Sequence, residues 1–460
     1  MKLIHFFLIL IIYTIMWGSF IAVSLEQSQQ GDTLSDKYGY RTNQEMLDRH
    51  KRFPLIDDRV KLYMSNWYLP PCNNTGRVAY DYLGNNDLLL EEPGGQRTFQ
   101  LNNIFSGEKN VSGSFDHIHF FNLDTMSNCN SRYCEDMVDN IAPALSRAHI
   151  GSTPIVFQFG DSWVTRGFRV DMNQQGFLLP YVQPHFPVIK NIRKSLSNGG
   201  LKELTSVQCM DKHDNQWQPV ITKLNVKRHF GKIHEVSVLD LPWEEKIDGA
   251  IFRGHLTGTY DALTPQILRN MTEVERCSLL PRCWISLVYH SATLVDARLT
   301  MFTMYNERYM LSPMIEYKSE PISLNGTNMS LKSMLMFKGL IMLEGNDVSS
   351  GLKWALYSNS VVLMPKPVYT SWAMEELLQP WVHYIPIDPL STTDIDDKMQ
   401  WILDHDEEAQ RIARNGHLWI SDMVLHPMAQ KEDEAIVDEI LRRYALHFRP
   451  AKSALPQHAP

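Results

Sequence analysis

The chain has no basic excess: 44 Lys and Arg stand against 52 Asp and Glu, for a net charge of −8. Binding to a phosphate backbone needs clustered cations that release counterions, so this balance excludes a non-specific nucleic-acid binder. It leaves room for a local basic pocket that takes one anion. No CxxC pair occurs among the 6 cysteines, and His119 and His290 lie outside any metal-ligand spacing, which argues against a zinc centre. A Gly-x-Gly-x-x-Gly fingerprint and a Walker loop are both absent, as are internal repeats and low-complexity segments. No convincing pair of carboxylates stands out for glycoside hydrolysis.

What remains is an ordinary folded composition, 44% hydrophobic and 21% charged, in 460 residues, a length that favours two domains. The N-terminus departs from it. Lys2 precedes an uncharged apolar run from Phe6 to Val23, on the border between a signal-peptide core and a membrane span. Ala22-Val23-Ser24 resembles a cleavage site, whereas the unbroken core with Trp17 favours an uncleaved anchor. The expectation is a signal peptide or signal anchor over 1–25 and a polar linker over 26–45, with the anchor preferred. Sequons at Asn73, Asn110, Asn270, Asn325 and Asn328 and an even cysteine count agree with a lumenal chain. Cys129/Cys134 and Cys277/Cys283 are the close pairs for disulfides.

Strand candidates are Pro154–Phe159, Gly249–Phe252, Leu340–Leu343, Val361–Met364 and Val382–Ile387. Between the third and fourth lies a loop, Glu344–Lys353, in which Ser349 or Ser350 can cap a helix through Leu352 to Leu356. Such strand–loop–helix–strand units build parallel sheets, whose ligands sit at the carboxyl ends of the strands. Helices follow at about 371–378, 392–404, 406–415 and 431–447, the last with Ile436, Ile440, Leu441 and Tyr444 on one face.

The loop Glu344–Lys353 can hold a phosphate. Backbone N–H groups at a helix start bind anions, Gly345 and Gly351 allow close approach, Ser349 and Ser350 donate, and Lys353 adds a charge. A plain serine-capped turn is the alternative. Trp354 and Trp381 suit core packing; Trp372 and Tyr384 suit either packing or stacking on a sugar or base.

The run from Leu343 to Ile387 resembles glycosyltransferase family 90, which includes fungal capsule-associated xylosyltransferases, Rumi-type protein O-glucosyltransferases and bacterial lipopolysaccharide-modifying enzymes. The matching parts are the loop Gly345–Lys353, Asn359–Leu363 and Pro380–Pro386, and the EGND…LKW form looks closer to the bacterial branch. Upstream, Ile251-Phe-Arg-Gly254, Val295-Asp-Ala-Arg298, Pro154–Asp161 and Pro187–Lys190 resemble further family segments, so the likeness covers roughly residues 150–425.

The resemblance implies an α/β protein with two Rossmann-like lobes of GT-B type and a helical C-terminus. The acceptor-side lobe would span 46–225, the donor lobe 226–425, and a C-terminal helix and tail 426–460. It implies a UDP-sugar donor, glucose or xylose, transferred with inversion to a hydroxyl of a glycan or glycoprotein. An inverting transferase needs a base for the acceptor hydroxyl and positive groups for the departing diphosphate. Asp161 is the candidate base, with Trp163 nearby as a sugar contact; relatives often carry Arg before that Asp, where this chain has Gly160. Arg253 is the candidate diphosphate ligand, because a guanidinium grips phosphate with two bonds. Gly254, Thr257, Gly345, Ser349, Ser350 and Lys353 complete the donor set; Rumi-type enzymes have an Arg where this chain has Gly351. Glu375, or Glu376, is a candidate for sugar hydroxyls, against an exposed helix face. No obligatory cofactor or metal is expected: Asp394-x-Asp396 opens a helix, although some fungal relatives are expected to respond to manganese. The expected place is the endoplasmic reticulum or Golgi lumen, as a single-pass type II protein or a secreted one, bound to membrane only through the N-terminal segment. The alternative is a catalytically inactive lumenal sugar- or nucleotide-sugar-binding protein of the same fold.

Overall fold

A computed structural model describes residues 47–72, 77–83, 87–92, 95–100, 118–121, 123, 134–158, 186–195, 209, 218–258, 268–300, 302 and 309–451. The signal or anchor segment, the linker, Asp161, Trp163, Asn73, Asn110 and Cys129 lie outside the described residues. Among those described, no helix is long and apolar enough to cross a membrane.

The chain folds as mixed α/β. Three strands, β1 (Val78–Tyr82), β2 (Asp87–Glu92) and β3 (Gly95–Gln100), form an antiparallel meander. A second sheet joins β4 (Ile118–Phe121), β5 (Ile155–Gln158), β6 (Ile189–Lys190) and, past the short β7 (Ile192–Lys194), β8 (Val220–Ile221). β4 is antiparallel to β5, and the rest of this sheet is parallel.

The third sheet is wholly parallel. Its strands are β9 (Ile247–Gly254), β10 (Val295–Leu299) and, after the hairpin β11 (Met314–Tyr317) and β12 (Glu320–Ser323), β13 (Phe337–Ile341), β14 (Val361–Met364) and, past β15 (Tyr369–Ser371), β16 (Ile385–Pro386). The spatial order is β10-β9-β13-β14-β16. Apolar runs such as Val361–Met364 suit this position, since a parallel strand is covered on both faces; all four residues are buried. The order places the second strand on one side of the first and the third on the other. The connections therefore leave β9 and β13 in opposite directions, and a crevice opens between their carboxyl ends.

The C-terminal helix Ala429–Ala445 returns to the first half of the chain. Ile436, Ile440, Leu441 and Tyr444 are fully buried, as their spacing predicts. Tyr444 accepts from the Val156 N–H at 3.0 Å. Asp433 meets Arg59 at 3.0 Å and Lys223 at 2.5 Å, and Glu432 meets Arg49 at 2.7 Å. The strand β17 (Phe448–Pro450) then adds in parallel to β1.

Two local expectations are corrected. The segment 371–378 is not a helix: β15 pairs antiparallel with β7, Met374 takes a left-handed φ of 57°, and only Glu375–Leu377 makes a 3-10 turn. The helix after β13 is Leu352–Tyr357; its N-cap is Gly351, with no side-chain cap bond, so neither serine caps it. The cysteines pair as Cys277–Cys283, which sequence proximity predicts, and as Cys72–Cys209, which are 137 positions apart. Disulfides persist in oxidising compartments, and these two agree with one. The three sequon asparagines within the described residues, Asn270, Asn325 and Asn328, are exposed.

Candidate functional site

Two loops meet at the switch point. The first leaves β9 as His255-Leu-Thr-Gly258; the second leaves β13 as Met342 to Gly351. Arg282, in the first turn of the helix Pro281–Val288, reaches across both. Its Nη1 donates to the Thr257 hydroxyl at 2.8 Å and to the His255 carbonyl at 3.2 Å. Its Nη2 and Nε donate to the carbonyls of Leu343 at 2.6 Å and Glu344 at 3.1 Å. Burial pulls the guanidinium down to about 10, partly offset by the nearby carboxylates of Asp347 and Glu344, so it stays charged at neutral pH. The same neighbourhood lowers His255 below the usual histidine range, through burial and then through Arg282 and Arg228.

The glycines here are required by contact. A Cβ on Gly345 would lie 2.5 Å from the Thr257 hydroxyl and 3.1 Å from Arg282 Nη2. Gly258 holds a φ of +106°, and its N–H points to the Asn346 side chain at 3.4 Å. Thr257 and Gly345, both named from sequence, therefore converge, with Gly258 next to Thr257 and Gly254 closing β9 beside them. Ser349 and Ser350 sit half-buried further along the second loop, and the Ser349 hydroxyl lies 3.9 Å from the Met342 sulfur.

The predicted cations are differently placed. Arg253 turns away from the switch point, toward β10, where it grips Asp296 through Nη2 at 2.6 Å and Nη1 at 3.1 Å. The Phe-Arg-Gly and Val-Asp-Ala segments thus bond each other. Lys353 is 0% exposed and bonds Glu375, itself 1% exposed, at 2.5 Å. Glu375 also accepts from the Ser371 N–H at 2.7 Å and its hydroxyl at 2.8 Å. The exposed helix face for Glu375 and Glu376 is therefore corrected: the first is in the core, and the second is an ion-pair partner of the buried Arg193 on β7. Trp372 and Tyr384 are core residues too, with Trp372 stacked on Tyr63 at 4.3 Å. Trp354 is buried, as expected, and Trp381 lies edge-on to Trp401 at 4.9 Å.

Glu344, which opens the predicted loop, adds a carboxyl to the site. Its carboxylate accepts the N–H groups of Val368 and Tyr369 at 3.1 and 3.0 Å. Burial nevertheless pushes it up to about 7. Arg282 was not singled out from the sequence. Its one sequence signal is faint: a cation in the first turn of a helix opposes the helix dipole, and is found there when something else holds it. Asp161 lies outside the described residues, three positions after β5 ends at Gln158.

A parallel sheet with two glycine-bearing loops meeting at its switch point defines an open α/β domain, a class whose ligands sit at the carboxyl ends of the strands. Residues 270–445 match the family model described as Glycosyl transferase family 90. It is 39% identical over 93 residues to O-glucosyltransferase LpsA of Dichelobacter nodosus, covering 20% of this chain and 29% of that protein. Over 194 residues it is 28% identical to Protein O-glucosyltransferase 2 of Danio rerio, covering 42% of this chain and 30% of that protein. Protein O-glucosyltransferase 3 of Rattus norvegicus is 32% identical over 92 residues, 20% of this chain and 18% of that protein. The chain thus spans less than a third of the length of these curated relatives.

Proposed function

We infer that this protein is a glycosyltransferase that moves a sugar, glucose or xylose, from a UDP-sugar to a hydroxyl of a glycan or protein acceptor. The observation that carries the reading is that the family-matched span, 270–445, includes Arg282 and the whole loop after β13, which are the walls of the switch-point crevice. The donor nucleotide would bind there, and the acceptor side would be built from residues before 226, in a two-lobed GT-B arrangement.

In this reading Asp161 takes the proton of the acceptor hydroxyl. The oxygen attacks the anomeric carbon, the bond to the UDP oxygen breaks from the opposite face, and the configuration inverts. The charge developing on the diphosphate is met by Arg282 and by loop N–H groups, so no metal ion is obligatory. A lumenal location in the endoplasmic reticulum or Golgi, through a type II anchor at 1–25, fits the disulfides and the exposed sequons.

The test uses the full chain with UDP-glucose, UDP-xylose and UDP-galactose, in EDTA and in manganese. A thermal shift with at least one donor, followed by UDP release that is lost in Asp161→Asn, is the expected result. Donor binding without turnover on any acceptor would instead favour an inactive binding protein, and no shift with any donor would sink the nucleotide-sugar reading.

A further inference from the structure

We propose that Arg282 is the positioning residue of the nucleotide-sugar site: its guanidinium clamps the loop after β9 to the loop after β13 and fixes Thr257 and Gly345 at the mouth of the crevice. The inference rests on the donor-site reading above and adds to it a positioning role for Arg282, distinct from its charge.

The first argument is geometric. Four acceptors from two loops converge on one guanidinium: the carbonyls of His255, Leu343 and Glu344 and the hydroxyl of Thr257. Adjacent carbonyls of the loop after β13 take the Nε and Nη2 edge, and the β9 loop takes Nη1. A rigid planar fork of five N–H groups can do this; a lysine ammonium, whose three donors radiate from one point, cannot span both loops. Gly345 fits the same purpose, since a Cβ there would lie 3.2 Å from the Arg282 Cζ.

The second argument is electrostatic. The carboxyl ends of parallel strands present carbonyl oxygens, which repel an anion. Arg282 occupies three of them. The other cations named in this region are matched by carboxylates, Arg253 by Asp296 and Lys353 by Glu375. The hydrogen bonds of Arg282 go to neutral acceptors, with Asp347 and Glu344 near enough to feel its charge. It therefore turns a ring of carbonyls into a site that tolerates a diphosphate.

The experiment is calorimetric titration of the full chain with UDP, for the parent, Arg282→Lys, Thr257→Val and the double variant, with melting temperature read in parallel. Arg282→Lys keeps the charge and loses the fork. It is expected to weaken UDP by about tenfold or more at a temperature where its circular dichroism matches the parent. Thr257→Val is expected to weaken UDP by about threefold, and the double variant to be no weaker than Arg282→Lys, since both single changes break one clamp. A merely structural arginine would lower the melting temperature and leave UDP affinity unchanged below it, which overturns the proposal. Should Arg282→Lys fail to fold, Thr257→Val decides, and parent-like affinity overturns the clamp. If the parent itself does not bind UDP, the donor-site reading falls, and the clamp with it.

Discussion

Replacing Lys353 with methionine separates its two candidate roles, phosphate ligand and core ion pair. The lysine is 0% exposed and sits 2.5 Å from Glu375, which is 1% exposed. Methionine keeps the length and removes the charge. Glu375 retains its bonds from the Ser371 N–H and hydroxyl, but its charge is then buried without compensation. Breaking one side of a buried pair costs about 3–5 kcal/mol, because the surviving charge cannot return to water. At about 2–4 °C per kcal/mol for a domain of this size, that is a drop of roughly 6–20 °C in melting temperature. Glu375→Gln is expected to cost a similar amount, and the double variant Lys353→Met/Glu375→Gln to recover most of it, since no lone charge remains. Urea unfolding followed by tryptophan fluorescence measures the stabilities, and UDP titration runs beside it. A single variant within about 0.5 kcal/mol of the parent would refute the core-pair reasoning. If that variant also lost UDP binding, Lys353 would face the donor after all.

Other expectations bear on the rest of the molecule. Burial raises the Glu344 carboxyl from its ordinary value of 4.5 to about 7. A raised acid stabilises the fold fully below about 4.5 and loses that contribution as pH rises through 7, so Glu344→Gln is expected to flatten the melting-temperature profile between those values. Asp161→Asn is expected to lower kcat by about 10²–10⁴ in a UDP-release assay while leaving the UDP Kd unchanged, as befits a base that does not hold the nucleotide. Serine replacement of Cys277 and Cys283 opens a loop of separation 6, against 137 for Cys72 and Cys209. Chain entropy makes these worth roughly 2 and 5 kcal/mol, so chemical denaturation is expected to rank the second pair as the more damaging loss.

What was legible in the sequence, and what was not, divides along the range of the interactions involved. The strand–loop–helix–strand unit around Leu340 to Met364 could be read because a strand buried on both faces leaves an unbroken apolar run. The C-terminal helix could be read because four residues on one face repeat at helical spacing. β15 could not: its three residues are a strand because β7 lies beside them, some 175 positions earlier in the chain. The partners of the charges could not be read for the same reason. Lys353 and Arg253 look like free cations in a loop and at a strand end, and only the fold brings Glu375 and Asp296 to them. Arg282 looks like an ordinary helical arginine until Thr257, Leu343 and Glu344 arrive from 25 to 62 positions away. A family motif therefore locates a loop at the switch point better than it assigns the partners of the charges inside it. The motif records which backbone must approach a ligand, and glycines mark that directly. Which cation remains available to an anion depends on where every carboxylate ends up, and that is a property of the folded chain.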